Sequence, residues 1–162
     1  MFSQTAEYAL RVIVHLASLK DSPTTTRQIA VTTKIPEGYL AKVLQSLVHA
    51  GLVQSQRGLH GGFVLGRQPT TLTLYDVMSA VDTPARIHTC PLALKTHAQE
   101  LCALHRRLDN VLLAVENSLR QATISEIIGD CTCCKPLAEV NGEMSVSGGN
   151  GEAAPTDTTG VA

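Results

Sequence analysis

Residues 36–65 read PEGYLAKVLQSLVHAGLVQSQRGLHGGFVL, and this stretch decides the fold. Pro36 suits the first turn of a helix because its missing N–H would be unpaired there, and Gly51 suits the left-handed residue that often follows a helix. Between them, apolar residues recur with the spacing of one helix face: Leu40, Val43, Leu44 and Leu47. Two short segments, 52–56 and 63–65, flank a glycine-rich turn, which predicts a β-hairpin.

Helices are also predicted on both sides of this stretch. Residues 5–20 place apolar side chains three and four apart, as in an amphipathic helix, and the threonines at 24–26 offer N-caps to a second, short helix. Thr73 and Asp76 resemble a capping box that opens a fourth helix. The longest apolar stripe comes last, and its members are Leu101, Leu104, Leu108, Leu112, Val115 and Leu119.

Three helices followed by a glycine-tipped hairpin form the element order of a winged helix-turn-helix. In that fold the third helix enters the major groove of DNA, and the hairpin contacts the adjacent backbone or minor groove. The sequence therefore predicts a mainly α-helical fold with a small β-hairpin wing and a long C-terminal helix.

Composition narrows the class of protein. The 162 residues are 44% apolar, with 13 basic and 14 acidic side chains. Because these numbers nearly cancel, the total charge does not indicate a polyanion partner. Eight basic and five acidic residues precede Thr89, however, so the N-terminal half can present a basic face. No run of 18 apolar residues and no cleavable leader is present, which favours a cytoplasmic protein without a membrane partner. Five cysteines between residues 90 and 134 favour metal or redox chemistry over a disulfide framework.

The third helix and the wing also carry a family resemblance. The run from Tyr39 to Leu47, continued by Ala-Gly-Leu-Val at 50–53 and by Arg57-Gly-x-x-Gly-Gly-Phe63, resembles the signature of the Rrf2 family of transcriptional regulators. The resemblance extends from Phe2 to about Gly129. It implies a homodimeric regulator, expected to be a repressor, that binds a pseudo-palindromic operator in double-stranded DNA.

The resemblance also implies a division of the chain. We expect a winged helix-turn-helix DNA-binding domain at 1–82, a cysteine-containing sensor loop at 83–100 and a dimerisation helix at 101–129. A Cys-rich segment follows at 130–137. Residues 138–162 contain five Gly, four acids and no Lys or Arg, which predicts a disordered acidic tail.

Candidate DNA contacts lie on three elements. Exposed residues near the start of the third helix are suited to reading bases, because Gln can pair with adenine and Lys with guanine: Tyr39, Lys42 and Gln45. The alternative is that Tyr39 packs under the helix and Lys42 is only solvated. The resemblance implies that the wing residues Arg57 and His60 approach the minor groove. A helix N-terminus suited to phosphate is formed by Thr25, Thr26 and Arg27.

The cysteines suggest a cofactor site. Several sensors of the family hold an iron-sulfur cluster through regularly spaced cysteines, in some members followed by a His. Cys90, Cys102 and His105 match the first, third and His positions, whereas Thr96 stands at the middle one. The resemblance further implies Glu7 as a carboxylate ligand from the other subunit. Such mixed ligation favours a [2Fe–2S] cluster over a [4Fe–4S] one.

Other readings of the cysteines remain open. Extra metal ligands are offered by His97, Cys131, Cys133 and Cys134. A clusterless regulator that senses a small molecule or thiol oxidation is the main alternative, because a buried Cys is often a small hydrophobe. An enzyme is not expected: Cys102 and His105 form the nearest nucleophile and base in sequence, but no orienting acid or oxyanion hole accompanies them.

Overall fold

A computed structural model of the chain describes residues 2–19, 22–58, 61–90 and 100–129. These residues form a mainly helical fold with one antiparallel two-stranded hairpin, which confirms the predicted fold class. The elements are α1 (Gln4–Ser18), α2 (Thr26–Thr33), α3 (Glu37–His49), β1 (Val53–Gln56), β2 (Gly62–Leu65), α4 (Leu74–Ser79), α5 (Ala103–Gln121) and α6 (Ile124–Gly129).

Local capping sets the helix starts. Thr25 caps α2 through a capping box with Gln28, and Thr73 caps α4 through the predicted box with Asp76. Such boxes satisfy backbone N–H groups that have no partner inside the helix. Lys34 ends α2 in the left-handed conformation, with a φ of 55°, and so turns the chain toward α3.

One apolar core unites the N-terminal elements. α1 contacts α2, α3, α4 and α6, and the stripe predicted on α3 is buried throughout. Burying a Leu or Ile side chain stabilises a fold by about 1.5–3 kcal/mol, so this core fixes which face of α3 remains outside. Its largest fully buried members are Ile13, Ile29, Leu40, Leu47, Leu52, Leu72 and Ile124. We refer to residues 2–82 together with α6 as the winged unit.

The hairpin depends on two glycines. β1 and β2 pair with Val53 opposite Leu65. Gly58 has a φ of 119°, a backbone region that favours glycine. A Cβ on Gly62 would lie 2.6 Å from the carbonyl oxygen of Thr24, because β2 approaches the chain just before α2. The glycine-rich wing therefore serves both a turn and a close backbone contact.

The segment 101–129 is two helices, not the single helix predicted. α5 ends at Gln121 and Ala122 is extended, with a ψ of 117°. The Thr123 N–H then donates to Glu126 Oε2 at 2.8 Å, and the Glu126 N–H donates to Thr123 Oγ1 at 3.2 Å. This third capping box restarts the chain as α6, whose Ile124 is fully buried in the core of the winged unit. The role of α5 in dimerisation stays a prediction.

Several predicted features lie outside the described residues. They are residues 91–99 of the sensor loop, the Cys-rich segment 130–137 and the tail 138–162. Among the helices that the structure describes, none has the length and apolar character needed to cross a membrane.

Candidate nucleic-acid interface and cysteine site

The outer face of α3 carries two of the predicted base-reading residues. Lys42 and Gln45 are exposed and lie three residues apart, hence on one side of the helix. Neither side chain has a hydrogen-bond partner among the residues that the structure describes. They are therefore available to a ligand that docks along α3.

Tyr39 plays a more structural part than the other two. Its hydroxyl lies 3.0 Å from Thr5 Oγ1, and its ring meets the Tyr8 ring edge-on with centroids 5.5 Å apart. The side chain remains 41% exposed. Tyr39 thus attaches α3 to α1 and leaves only part of its ring free, as the alternative reading of this residue expected.

The N-terminus of α2 lies close to the wing. Thr25 Oγ1 donates to Gln28 Oε1 at 2.8 Å, so this hydroxyl is engaged in capping, while Arg27 is exposed. No acidic residue stands in the first turn, which leaves the positive end of the helix uncompensated. Thr24 and Phe63 exchange backbone hydrogen bonds of 3.1 and 2.9 Å, and these join the wing to this terminus.

Arg57 follows β1 directly and is exposed at the start of the wing turn. The second wing candidate, His60, lies outside the described residues. Of the predicted DNA contacts, the structure displays Arg27, Lys42, Gln45 and Arg57 as exposed side chains. Thr25 and Tyr39 are exposed as well but form hydrogen bonds within the winged unit, and Thr26 is half-buried.

Cys90, Cys102 and His105, which we call the cysteine site, come together in space. Their ligand atoms all lie within 4.8 Å of one another. His105 Nδ1 is 3.1 Å from Cys102 Sγ and 3.6 Å from Cys90 Sγ. Cys90 is 8% exposed and the other two residues are half-buried. Two sulfurs and an imidazole nitrogen thus face a common point, which suits soft-metal ligation.

The start of α5 organises this site. Cys102 occupies the N-cap position and His105 is the third helical residue, so both side chains belong to the first turn. The backbone N–H of His105, then its side chain, lower the pKa of Cys102 from 9.0 to about 7. A thiol with a lowered pKa at a helix N-terminus supplies the thiolate that metals bind and oxidants attack.

A charged cluster that the sequence analysis did not identify lies beside the cysteine site. Arg86 donates to both oxygens of Asp109, from Nε at 2.8 Å and from Nη2 at 2.7 Å, and from Nη1 to Glu116 at 3.3 Å. The Ile87 N–H also donates to Asp109 at 3.0 Å. The hydrogen bonds from Arg86, followed by that from Ile87, lower the pKa of Asp109 to about 2.

Glu7 does not join the cysteine site within one chain. It pairs with Arg11, whose Nε lies 2.8 Å from Glu7 Oε1, and Arg11 also donates to the carbonyl oxygen of Thr33. Ligation by Glu7 was expected from a second copy and stays a prediction. The other suggested ligands, His97, Cys131, Cys133 and Cys134, lie outside the described residues.

One face of α5 leaves apolar side chains in solvent. Leu104 is 63% exposed and Val111 is 61% exposed. Val111 also lines an open groove of about 540 Å³ together with Val115 and with Phe2, which is 58% exposed. Exposed apolar surface of this kind marks an interaction site. Only the end of the predicted stripe, at Leu119, is buried against Ala6 and Met78.

Known proteins share this architecture. The structure resembles that of CymR (YrzC), the global cysteine regulator of Bacillus subtilis, with a TM-score of 0.67 and 28% identity over 81% of this chain and 98% of that one. It also has the fold of IscR from T. potens, with a TM-score of 0.68 and 24% identity over 80% of this chain and 87% of that one.

Sequence comparison agrees with the structural comparison. The HTH-type transcriptional regulator NsrR of Bacillus licheniformis is 29% identical over 125 residues, which cover 75% of this chain and 87% of that protein. The family model named Rrf2, described as "Iron-dependent Transcriptional regulator", matches residues 2–130. The resemblance noted in the third helix and the wing is thereby confirmed, and the chain belongs to the Rrf2 family, whose members are transcriptional regulators and not enzymes.

Proposed function

We propose that the chain is a homodimeric repressor that binds a pseudo-palindromic DNA operator and senses its signal through an iron-sulfur cluster, favoured as [2Fe–2S]. The ligands from this chain are Cys90, Cys102 and His105. The convergence of their three ligand atoms within 4.8 Å carries the proposal.

The winged unit supplies the DNA-binding part. Lys42 and Gln45 project from α3 toward the major groove, and Arg57 on the wing approaches the adjacent minor groove. Arg27 and the α2 N-terminus contact phosphate. A dimer that neutralises about eight phosphates loses affinity steeply with salt, with a log–log slope near −7.

A second copy of the chain is the partner we assign to the exposed face of α5. The face is apolar and continuous from Leu104 to Val115, and a soluble regulator gains by covering it. Two copies related by a two-fold axis also present two recognition helices to a pseudo-palindromic site.

The cysteine site fits an iron-sulfur cluster in its donor chemistry. Thiolates are the usual ligands, and imidazole replaces them in some [2Fe–2S] centres, so two Cys and one His supply three of four positions. The fourth ligand we assign is Glu7 of a second copy, which would have to leave Arg11. When bound, the cluster supplies a centre that responds to redox change or nitric oxide.

The chain itself links this site to DNA. Cys102 and His105 form the first turn of α5, and Cys90 closes against them. Releasing or re-forming these contacts shifts the start of α5. Because α5 is the proposed dimer contact, that shift changes the distance between the two recognition helices and thereby the affinity for the operator.

Anaerobic purification tests the cofactor, followed by gel-shift titration of DNA from the protein's own promoter region. We expect visible absorbance with about two iron and two sulfide per chain. Cys90→Ser and Cys102→Ser should lose both, whereas Cys131→Ser should keep them. Colourless, iron-free protein after reconstitution would reject the cluster, and operator binding that ignores cluster loading would reject its regulatory role.

Thiol sensing without a cluster is the second candidate, and the lowered pKa of Cys102 beside Cys90 favours it. The Cys102 thiolate attacks a peroxide oxygen, which gives a sulfenic acid and releases the other oxygen as water or alcohol. The Cys90 thiol then attacks that sulfur, which forms the disulfide and releases the sulfenic oxygen as water. Peroxide that abolishes operator binding of metal-free protein, reversibly with a dithiol, would support this reading.

A further inference from the structure

We propose that Arg86 is a positioning residue of the cysteine site, holding Cys90 against Cys102 and His105 by pinning the loop before Cys90 onto α5. As a statement about metal ligation it rests on the proposed function of the cysteine site, whereas its geometric part stands alone. Arg86 belongs to no element of regular structure and is not among the ligand residues.

The order of contacts shows how the anchor works. Arg86 meets Glu116 and Asp109, Ile87 meets Asp109, and Cys90 meets His105. Residues 86–90 therefore run antiparallel along α5 toward its N-terminus. Asp109 and His105 are four residues apart, which places them on the same face of the helix.

The short chain between Ile87 and Cys90 limits where Cys90 can lie. Three extended residues span at most about 10 Å, and four helical residues rise about 6 Å. With Ile87 held at Asp109, this tether is long enough for Cys90 to reach the first turn of α5, and it keeps Cys90 within about 10 Å of Ile87. The anchor thus restrains Cys90, the one residue of the cysteine site that lies outside the first turn of α5.

Backbone hydrogen bonds do not account for the position of this loop. From residue 83 to 89, no backbone-to-backbone hydrogen bond forms within the part of the chain that the structure describes. The Arg86 and Asp109 side chains are only 23% and 17% exposed, and the guanidinium engages the carboxylate through two parallel bonds. A bidentate, partly shielded pair of this kind fixes direction as well as position.

Arg120 provides a matched control. Its guanidinium also pairs with Glu116, at 2.8 Å, but it lies near the opposite end of α5 and stacks over Tyr75 of α4. Removing Arg120 deletes an ion pair with the same carboxylate without touching the loop before Cys90. A general loss of α5 stability would affect both variants, whereas loss of positioning would affect only Arg86.

The first experiment needs no metal. In the full chain carrying Cys131→Ser, Cys133→Ser and Cys134→Ser, diamide oxidises Cys90 and Cys102 to a disulfide and is itself reduced to the hydrazine. We expect Arg86→Gln to slow this reaction about 10-fold or more. Arg86→Lys should slow it less, because lysine keeps the charge but lacks the planar guanidinium that binds both carboxylate oxygens. Arg120→Gln should react at the rate of the parent. Equal rates for Arg86→Gln and the parent, or equal slowing by Arg120→Gln, would overturn the proposal.

The second experiment uses Co²⁺ as an optical probe of thiolate ligation. Residues that orient metal ligands typically contribute about 10- to 100-fold to metal affinity, and we expect a loss in that range for Arg86→Gln but not for Arg120→Gln. If the parent binds Co²⁺ and Arg86→Gln binds it equally, this inference fails while the proposed site stands. If the parent binds no Co²⁺ yet Arg86→Gln slows disulfide formation, the proposed metal function fails while the positioning role stands.

Discussion

The winged unit and the region around α5 differ in how completely one copy of the chain buries their apolar side chains. Leu40 and Leu47 of α3 are buried completely, whereas Leu104 and Val111 of α5 remain largely in solvent. The winged unit thus buries its apolar stripe by itself. The α5 region has instead an unpartnered face and a cysteine site held from outside the helix. One copy of the chain therefore completes the core of the winged unit, whereas it leaves an apolar face of α5 exposed.

The largest expected effect tests the self-sufficiency of the winged unit. Leu47→Ala removes a fully buried side chain from the central core, and such deletions lower the free energy of unfolding by about 2–5 kcal/mol because a cavity remains. Denaturant unfolding measures the change. Val31→Ala is the control: Val31 is 71% exposed, and we expect a change within about 0.5 kcal/mol. A small loss at Leu47 would mean that this core is not what stabilises the winged unit.

A charge on the outer face of α5 tests the other side of the comparison. Val111→Glu places a carboxylate at the centre of the proposed dimer contact, and we expect self-association to weaken about 100-fold, equivalent to about 2.7 kcal/mol. Sedimentation equilibrium measures it, with far-UV circular dichroism to verify the fold. Asn117→Glu adds the same charge away from this face and should leave the dimer intact. Unchanged association of Val111→Glu would assign the face to something other than a second copy.

The wing is the place where the winged unit depends on one exposed side chain. Arg57→Ala should weaken operator binding at least about 10-fold and reduce the magnitude of the log–log salt slope by about 1 per site lost, because a phosphate or minor-groove contact disappears. Arg67→Ala removes an exposed cation beyond β2 and serves as the control. A gel-shift affinity that Arg57→Ala leaves unchanged would remove the wing from the DNA interface.

The same division explains what the sequence could predict. Capping at Thr25 and Thr73, the buried stripe of α3 and the glycine turn of the wing are local patterns, and each forms where its spacing indicates. The spacing of Thr123 and Glu126 also indicates a capping box. The long apolar periodicity before it led instead to the prediction of one continuous helix. The residues that determine each of these elements lie within the element or within a few residues of it in the sequence.

The sequence predicted the ligands of the cysteine site but not the residues that position them. Cys102 and His105 are neighbours on one helical turn, and the family resemblance added Cys90. The pair of Arg86 and Asp109 is separated by 23 residues and forms only because the loop folds back along α5, so no local spacing indicates it. Tyr39 likewise lies in α3, and its contact with Thr5 of α1 depends on how the two helices pack.

The smallest expected effect concerns acid. The pKa of Asp109 in the folded chain lies at about 2, below its ordinary value of 3.8, so the pair with Arg86 contributes stability that is present above about pH 4 and lost as the pH falls toward 2. We expect the difference in unfolding free energy between the parent and Asp109→Asn to be constant near neutral pH and to shrink over this window. Thermal or denaturant unfolding at several pH values measures it.

Unfolding measurements between about pH 4 and pH 2 also distinguish the contribution of Asp109 from that of the other ion pair of α5. Glu116 has a lowered pKa as well, chiefly through Arg120 and also through Arg86. The pair of Arg120 and Glu116 is present in both proteins, so subtracting the two curves removes its contribution and leaves that of the ion pairs of Arg86. If the difference stays constant down to pH 2, the carboxylate gains nothing from its charge, and the loop before Cys90 is held by packing alone. If it shrinks over this window, the charge of Asp109 stabilises the attachment of the loop before Cys90 to α5.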